Sequence, residues 1–257
     1  MSAVFVFQHT LQELARPRRL IVWLAIIAGI GLLAANLTTM ARQVTSLDAY
    51  IQISGGMVFK VLALSSAILT AAVVAQEVEQ KTIVYMLTRP IPRPAMLLAR
   101  FFASAVVALA LAMVAAVVVT CAVYGSQAFS NEIFFRDLRA LAIGAFAYGA
   151  VFLVVTLLIN RSMPVCLLFA FGWESIAPNL PGDTQYVTIF GHLMALAQHP
   201  QLDNSAGPLG ALAGQMGTNV IPENVAWAAM FGLIAVCLTF ACILFASFEY
   251  VPREDTD

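Results

Sequence analysis

Charge is scarce in this chain. Asp, Glu, Lys and Arg make up 11% of its 257 residues, against about 25% in an ordinary soluble domain. Hydrophobic residues make up 61%, where about 45–50% is usual, and the mean hydropathy is +0.88. A water-soluble domain of this length has more surface to solvate than so few polar groups can cover. A disordered chain is excluded by the same apolar surplus. The 13 basic and 14 acidic residues give a net charge of −1, so there is no basic excess to hold a nucleic-acid backbone. The composition places the chain in a lipid bilayer.

Motifs for chemistry are missing as well. There is no Gly-x-x-x-x-Gly-Lys-Ser/Thr loop to cradle phosphates, no His-Glu-x-x-His and no Gly-x-Ser-x-Gly elbow. The chain is therefore expected to bind neither ATP nor a metal, to need no cofactor of its own and to catalyse nothing by itself. The histidines are His9, His192 and His199. The last two sit in one polar connection, where they could share a helix face but read as ordinary loop residues. Cys121, Cys166, Cys237 and Cys242 fall in or beside apolar runs. They are poorly placed for a disulfide framework and suit small apolar filler.

What is present is a series of long apolar runs. A helix needs about 20 apolar residues to cross the hydrocarbon. Six candidates lie at about 20–37, 55–75, 101–124, 138–159, 163–177 and 225–248. Lys60 interrupts the second and Glu174 the fifth. The fifth is short enough to fit a re-entrant helix too. The run after Arg16, Arg18 and Arg19 is too long for a signal-peptide core, so it reads as the first span. The arm before it, 4–16, can gather Val4, Phe5, Phe7 and Leu11 on one side of a helix lying in the membrane interface. The chain thus reads as one all-α transmembrane domain, 1–257, with a large extracytoplasmic loop at 178–224 that has room for a short helix near 187–198. Gly144 and Gly149, with Ala25 and Gly29, permit close helix approach.

Nine of the 13 basic residues fall on one side of such a bundle: Arg16, Arg18, Arg19, Lys81, Arg89, Arg93, Arg100, Arg161 and Arg253. Arg42, Arg136, Arg139 and Lys60 fall on or near the other. The positive-inside rule then puts both termini in the cytoplasm.

The most patterned polar stretch joins the second and third spans, QEVEQKTIVYMLTRPIPR over 76–93. Glu77 and Lys81 form a favourably ordered i,i+4 pair. A short helix must stop before Pro90, and Pro90-Ile91-Pro92 turns the chain stiffly. The next helix starts near Pro94. From physics alone this is either a rigid lever at the cytoplasmic face or a well-ordered polar turn.

The acidic pair followed by Lys-Thr-Ile-x-x-x-Leu-Thr-Arg-Pro-Ile-Pro-Arg, after a second span, resembles the permease subunits of ABC-2 type ABC exporters, in their bacterial six-span subgroup. The resemblance covers the whole layout and is specific over about 75–100. It implies the ABC-2 (type V) exporter permease fold: six transmembrane helices, an N-terminal interfacial helix and a short cytoplasmic coupling helix at about 76–89. It implies coupling positions at Glu77, Glu79, Lys81 and Thr82, with an exit turn at Arg89, Pro90, Pro92 and Arg93. The family often has Gly where Lys81 stands. The resemblance further implies two copies of a separate ATP-binding subunit, which would carry ATP and Mg2+, and a second permease copy. It leaves room for an accessory membrane or periplasmic protein, and places the chain in the bacterial inner membrane. Its function would be export of a hydrophobic or amphipathic substrate. The alternative is a membrane scaffold or assembly factor without transport.

Two intramembrane polar residues stand out, Lys60 and Glu174. A carboxylate within the bilayer is costly and normally faces a bundle interior or cavity. Glu174 reads as a structural tie, part of a transport path, or a headgroup-level residue beside a distorted helix end near the outer interface. Lys60 can snorkel outward or pair with Glu174.

Overall fold

The computed structural model describes residues 3–40, 46–79, 93–125, 129, 132–159, 162–176, 183–199 and 221–247. Regular structure among them is entirely helical. A short α1 (Ala3–Leu14) leads into α2 (Pro17–Met40), whose first position takes a proline because no helical N–H is needed there. Next come α3 (Ser46–Ile53), a π turn (Ser54–Val58) and α4 (Phe59–Glu79), which follow one another without a break. A long α5 (Arg93–Tyr124) and α6 (Glu132–Leu158) follow. Then α7 (Ser162–Leu168) runs through a second π turn (Phe169–Trp173) into a last turn at Glu174–Ile176. A 3-10 turn (Asp183–Val187) precedes α8 (Ile189–Ala197), and α9 (Glu223–Ser247) closes the described chain.

Among the described residues, five helical stretches are long and apolar enough to cross a membrane: Pro17–Thr38, Ser46–Val73, Pro94–Tyr124, Glu132–Leu158 and Glu223–Ser247. The remaining candidate is the shorter apolar helix Ser162–Ile176. At 1.5 Å per residue it reaches about 22 Å, short of the roughly 30 Å hydrocarbon thickness. Of the six expected spans, five thus have membrane-crossing length among the described residues, and the fifth candidate, expected to be short, is this shorter helix. Boundaries also move. The fourth span starts at Glu132 rather than 138, because Phe134 and Asp137 already lie on its buried face.

At the centre stands α6, which packs against α4, α5, α7, α8 and α9. Two glycines make three of these approaches possible. A Cβ on Gly144 would lie 2.8 Å from Leu62 of α4 and 2.9 Å from Leu193 of α8. One on Gly149 would meet Phe101 of α5 at 3.1 Å. Gly29, expected to serve the same purpose on α2, faces open space; Gly31 is the tight position, against Val118. By contrast α2 rests mainly on α5, and α9 leaves a broad apolar face uncovered.

The arm is a helix, but the side buried against α5 is Val6, Thr10 and Leu14. Val4 and Phe5 stay exposed. A second small core joins α1, α5, α6 and α9 through Val6, Phe101, Leu153 and Phe245. It lies at the end of the bundle where α5 begins and α6 ends, termed proximal below. The end marked by Glu132 and Glu223 is termed distal.

Candidate functional site: two buried carboxylates around a short helix

Among the described side chains two carboxylates are buried in this bundle, Glu174 at 5% exposure and Asp137 at 0%. Both are satisfied by groups remote in sequence, and both hold α8.

Glu174 is turned inward by the π turn before it. The buried positions of this helix are Ser162, Cys166, Ala170 and Glu174, a stride of four. In a regular helix of 3.6 residues per turn that stride drifts by about 40° a step. The wider turn over Phe169–Trp173 absorbs the drift and keeps Glu174 on the packed side. Its Oε1 accepts the Ile189 N–H at 3.1 Å, and its Oε2 accepts the Phe190 N–H at 2.8 Å. Tyr148 of α6 donates its hydroxyl to Oε2 at 3.2 Å.

Ile189 and Phe190 open α8, so their amides have no partner within that helix. The next one, from Gly191, is taken at 3.1 Å by the Thr188 hydroxyl, a regular N-cap. Gly191 is required here, because a Cβ would come within 2.6 Å of the Gln185 carbonyl. A carboxylate at a helix N-terminus also meets the positive end of the helix dipole. His192, one residue further on, donates from Nδ1 to the Thr188 carbonyl at 2.8 Å, an oxygen that can only accept.

The other end of α8 stops at Gln198, in the left-handed region at φ 49°. This turn sends the His199 ring back into the bundle. Its Nε2 lies 2.6 Å from Asp137 Oδ1, and both side chains are almost wholly buried. Asp137 Oδ2 accepts the Tyr50 hydroxyl at 2.7 Å and the Ser54 hydroxyl at 2.6 Å. Ser54 opens the first π turn, so each π turn adjoins one carboxylate site. The Phe59 ring meets the His199 ring edge-on at 6.4 Å. On the exposed rim, Gln198 accepts from Arg136 at 3.0 Å and donates to Glu223 at 2.6 Å.

Three contacts fix how α8 lies. Ile189 and Phe190 are level with Tyr148, Leu193 packs at Gly144, and His199 meets Asp137. Numbering rises along α8 as it falls along α6, so the two run antiparallel. Asp137 and Tyr148 are about 16 Å apart along α6. The N-terminus of α8 therefore lies deep in the bundle and its C-terminus at the distal end. Tied by its first two amides to Glu174 in the turn at Glu174–Ile176, α8 spans from mid-bundle to the distal rim. Between α8 and α9 is an open-sided cavity of about 130 Å³ lined by Val187, Ile189, His192, Met230 and Leu233 among others.

The residues singled out from the sequence are distributed as follows. Glu174 lies level with Tyr148, about 24 Å along α6 from Glu132, deeper than the outer-interface position expected. Lys60 is half-buried on the first turn of α4. Among the described residues no ion pair joins it to Glu174, whose acceptors are taken by other donors. Glu77 and Glu79 end α4 as a direct continuation of that helix, and Arg93 begins α5. Lys81, Thr82, Arg89, Pro90 and Pro92 lie outside the described residues.

Asp137, His199, Tyr50 and Tyr148 were not anticipated. His192 and His199 do not share a helix face, since α8 ends at Ala197 and His199 lies beyond it. The signal for Asp137 was available: it is in helical register with Leu141, Gly144 and Tyr148 on the buried stripe of α6. It falls one residue before the apolar run at about 138–159 and so outside the expected span.

The family described as ABC-2 family transporter protein matches residues 13–173. No curated protein matches the chain. The match covers more than half of the sequence and ends one residue before Glu174, so α8 and α9 lie beyond it. With several helices of membrane-crossing length and apolarity, the chain is a multi-pass membrane protein that belongs to the ABC-2 transporter family.

Proposed function

We propose that this protein is the permease subunit of an ATP-driven ABC exporter, moving a hydrophobic or amphipathic substrate with energy from a separate ATPase subunit. The family match over 13–173 carries this reading. The absence of a phosphate-binding loop in the sequence supports a separate ATPase. In this reading the complex holds two permease copies and two ATPases. ATP and Mg2+ sit on the latter, and the membrane is the bacterial inner membrane.

The topology proposed is six crossings with both termini in the cytoplasm. The fifth crossing is the composite of Ser162–Ile176 and α8, about 22 Å and about 13 Å long. Broken helices are tolerated at membrane depth where the freed backbone groups find partners inside the protein, as the Ile189 and Phe190 amides do at Glu174. The distal end is then the outer one. The proximal end, where α4 stops at Glu79 and α5 starts at Arg93, faces the ATPase. There the segment with Glu77, Glu79, Lys81 and Thr82, and the turn with Arg89, Pro90, Pro92 and Arg93, pass force to the two helices.

The test is co-reconstitution of the chain with its ATPase, reading ATPase activity and transport in one preparation. Glu79→Lys lowers coupled transport by about tenfold or more, because a like charge is forced onto a partly buried interface, and leaves ATP binding intact. Combining Pro90→Ala with Pro92→Ala loosens the turn and gives the same uncoupling. Full coupled transport in both variants overturns the coupling assignment. An assembled complex without any transport favours a scaffold.

A further inference from the structure

The two ends of α8 are held in physically different ways. At the deep end Glu174 binds backbone. If it lets go, two helix N-terminal amides and the Tyr148 hydroxyl lose their acceptor inside the bundle. At the distal end Leu193, Leu196 and Ala197 are buried in the apolar core, and the buried polar hold is one side chain on another, His199 on Asp137. If His199 leaves, Asp137 keeps Tyr50 and Ser54 as donors on its other oxygen. The ring is not fastened from its far side, because among the described residues the buried Nδ1 has no hydrogen-bond partner. The remaining polar contacts of this end run through Gln198, which is exposed. Water competes with such contacts and they add little. The open cavity toward α9 lies at the other, Glu174-bound end, beside Tyr186, Val187, Ile189 and His192.

We propose that the His199–Asp137 contact is a releasable latch on the distal end of α8, and that the short helix swings about its Glu174-bound end to open the outer mouth of the translocation path. His199 and Asp137 act as positioning residues: they set where α8 rests and touch no substrate. Glu174 is the pivot. The asymmetry decides the direction of movement, since opening at Asp137 parts one ring nitrogen from one carboxylate oxygen, whereas opening at Glu174 parts three donors from both carboxylate oxygens. The assignment of a mouth rests on the permease reading, but the latch itself is tested without transport.

The experiment uses the full chain in lipid nanodiscs without nucleotide, with the four native cysteines replaced. A thiol is placed on α8 by Leu196→Cys, at a site 5% exposed, and in a parallel protein on α6 by Ala145→Cys, at a site 0% exposed. The rate of maleimide labelling is measured for each. His199→Ala raises labelling at 196 about tenfold, the population shift expected for loss of one hydrogen bond to a charged group. His199→Phe, which keeps a ring beside Phe59 but has no donor, does the same if the alanine variant is not recovered folded. His199→Gln, whose amide can still donate to Asp137, stays near the parental rate. Labelling at 145 does not change in any variant. The latch is overturned if labelling at 196 is unchanged in both the alanine and phenylalanine variants, if 196 and 145 rise together, or if the glutamine variant labels as fast as the alanine one. Loss of transport by the otherwise unmodified chain alongside intact latch behaviour counts against the permease reading alone.

Discussion

The helices α6 and α9 are near twins in length and apolarity, yet they occupy opposite positions. Their most apolar windows have mean hydropathies of 2.3 and 2.6. In α6, 61% of that window is buried; in α9, 17%. What separates them is the minority of other residues. Asp137, Gly144, Tyr148 and Gly149 punctuate α6, whereas no charge follows Glu223 in α9. The pair α4 and α2 repeats the contrast, with the less apolar Ser46–Val73 buried and the more apolar Pro17–Thr38 peripheral. An apolar side chain gains little by leaving lipid for protein, since both are hydrocarbon. Small residues that allow close approach, and polar groups that must find partners, decide which helix takes the centre.

Substitutions can break this comparison, beginning with the largest effect. Glu174→Ala strands the amides of Ile189 and Phe190 and the Tyr148 hydroxyl. Its expected cost is about 3 kcal/mol or more, at roughly 1–3 for each buried donor left unmade. The variant shows it as a lower melting temperature and a lower monodisperse yield in detergent. Glu174→Gln, which keeps an acceptor, loses less. A silent alanine variant would mean that water reaches this carboxylate and that the deep end of α8 is not sealed.

Next in size is Gly144→Val, which drives new carbon into Leu62 and Leu193. Overpacking of this kind costs about 1–3 kcal/mol. The same melting assay reads it, and Leu193→Ala in the same chain should recover part of the loss by vacating the space. The smallest effect belongs to α9. Val236→Ala, at a site 66% exposed, stays within about 0.5 kcal/mol of the parent. A large loss there would show that the uncovered face of α9 is buried against another protein rather than bathed in lipid.

Much of the helical layout was legible because membrane crossing is written in local composition: a run of apolar residues cannot hide. The boundaries were less legible. Ser46–Ile53 and the first turn of α6 mix polar with apolar residues, and only their tertiary neighbours bury Tyr50 and Asp137. Glu174 stood out in the sequence as a carboxylate in an apolar run, but its partners did not. They belong to a helix that begins after Pro178 and Pro181, in a stretch that reads as loop. His199 carried no signal of its own, since its meaning depends on a residue in a different helix.

By itself the sequence determined that this is an all-helical membrane protein without a phosphate loop, and its 75–100 segment pointed to the ABC-2 family. Each of these rests on residues close together in the chain, where hydropathy and spacing suffice. Only the tertiary structure decided that α8 runs back along α6, that two π turns aim Ser54 and Glu174 inward, and that Asp137 gathers Tyr50, Ser54 and His199. Buried polar groups must be paired, but hydrogen bonding does not specify where along the chain the partner lies. That choice falls to whichever helices the small residues allow to touch, and here Gly144 brings Leu193, and with it both ends of α8, against α6.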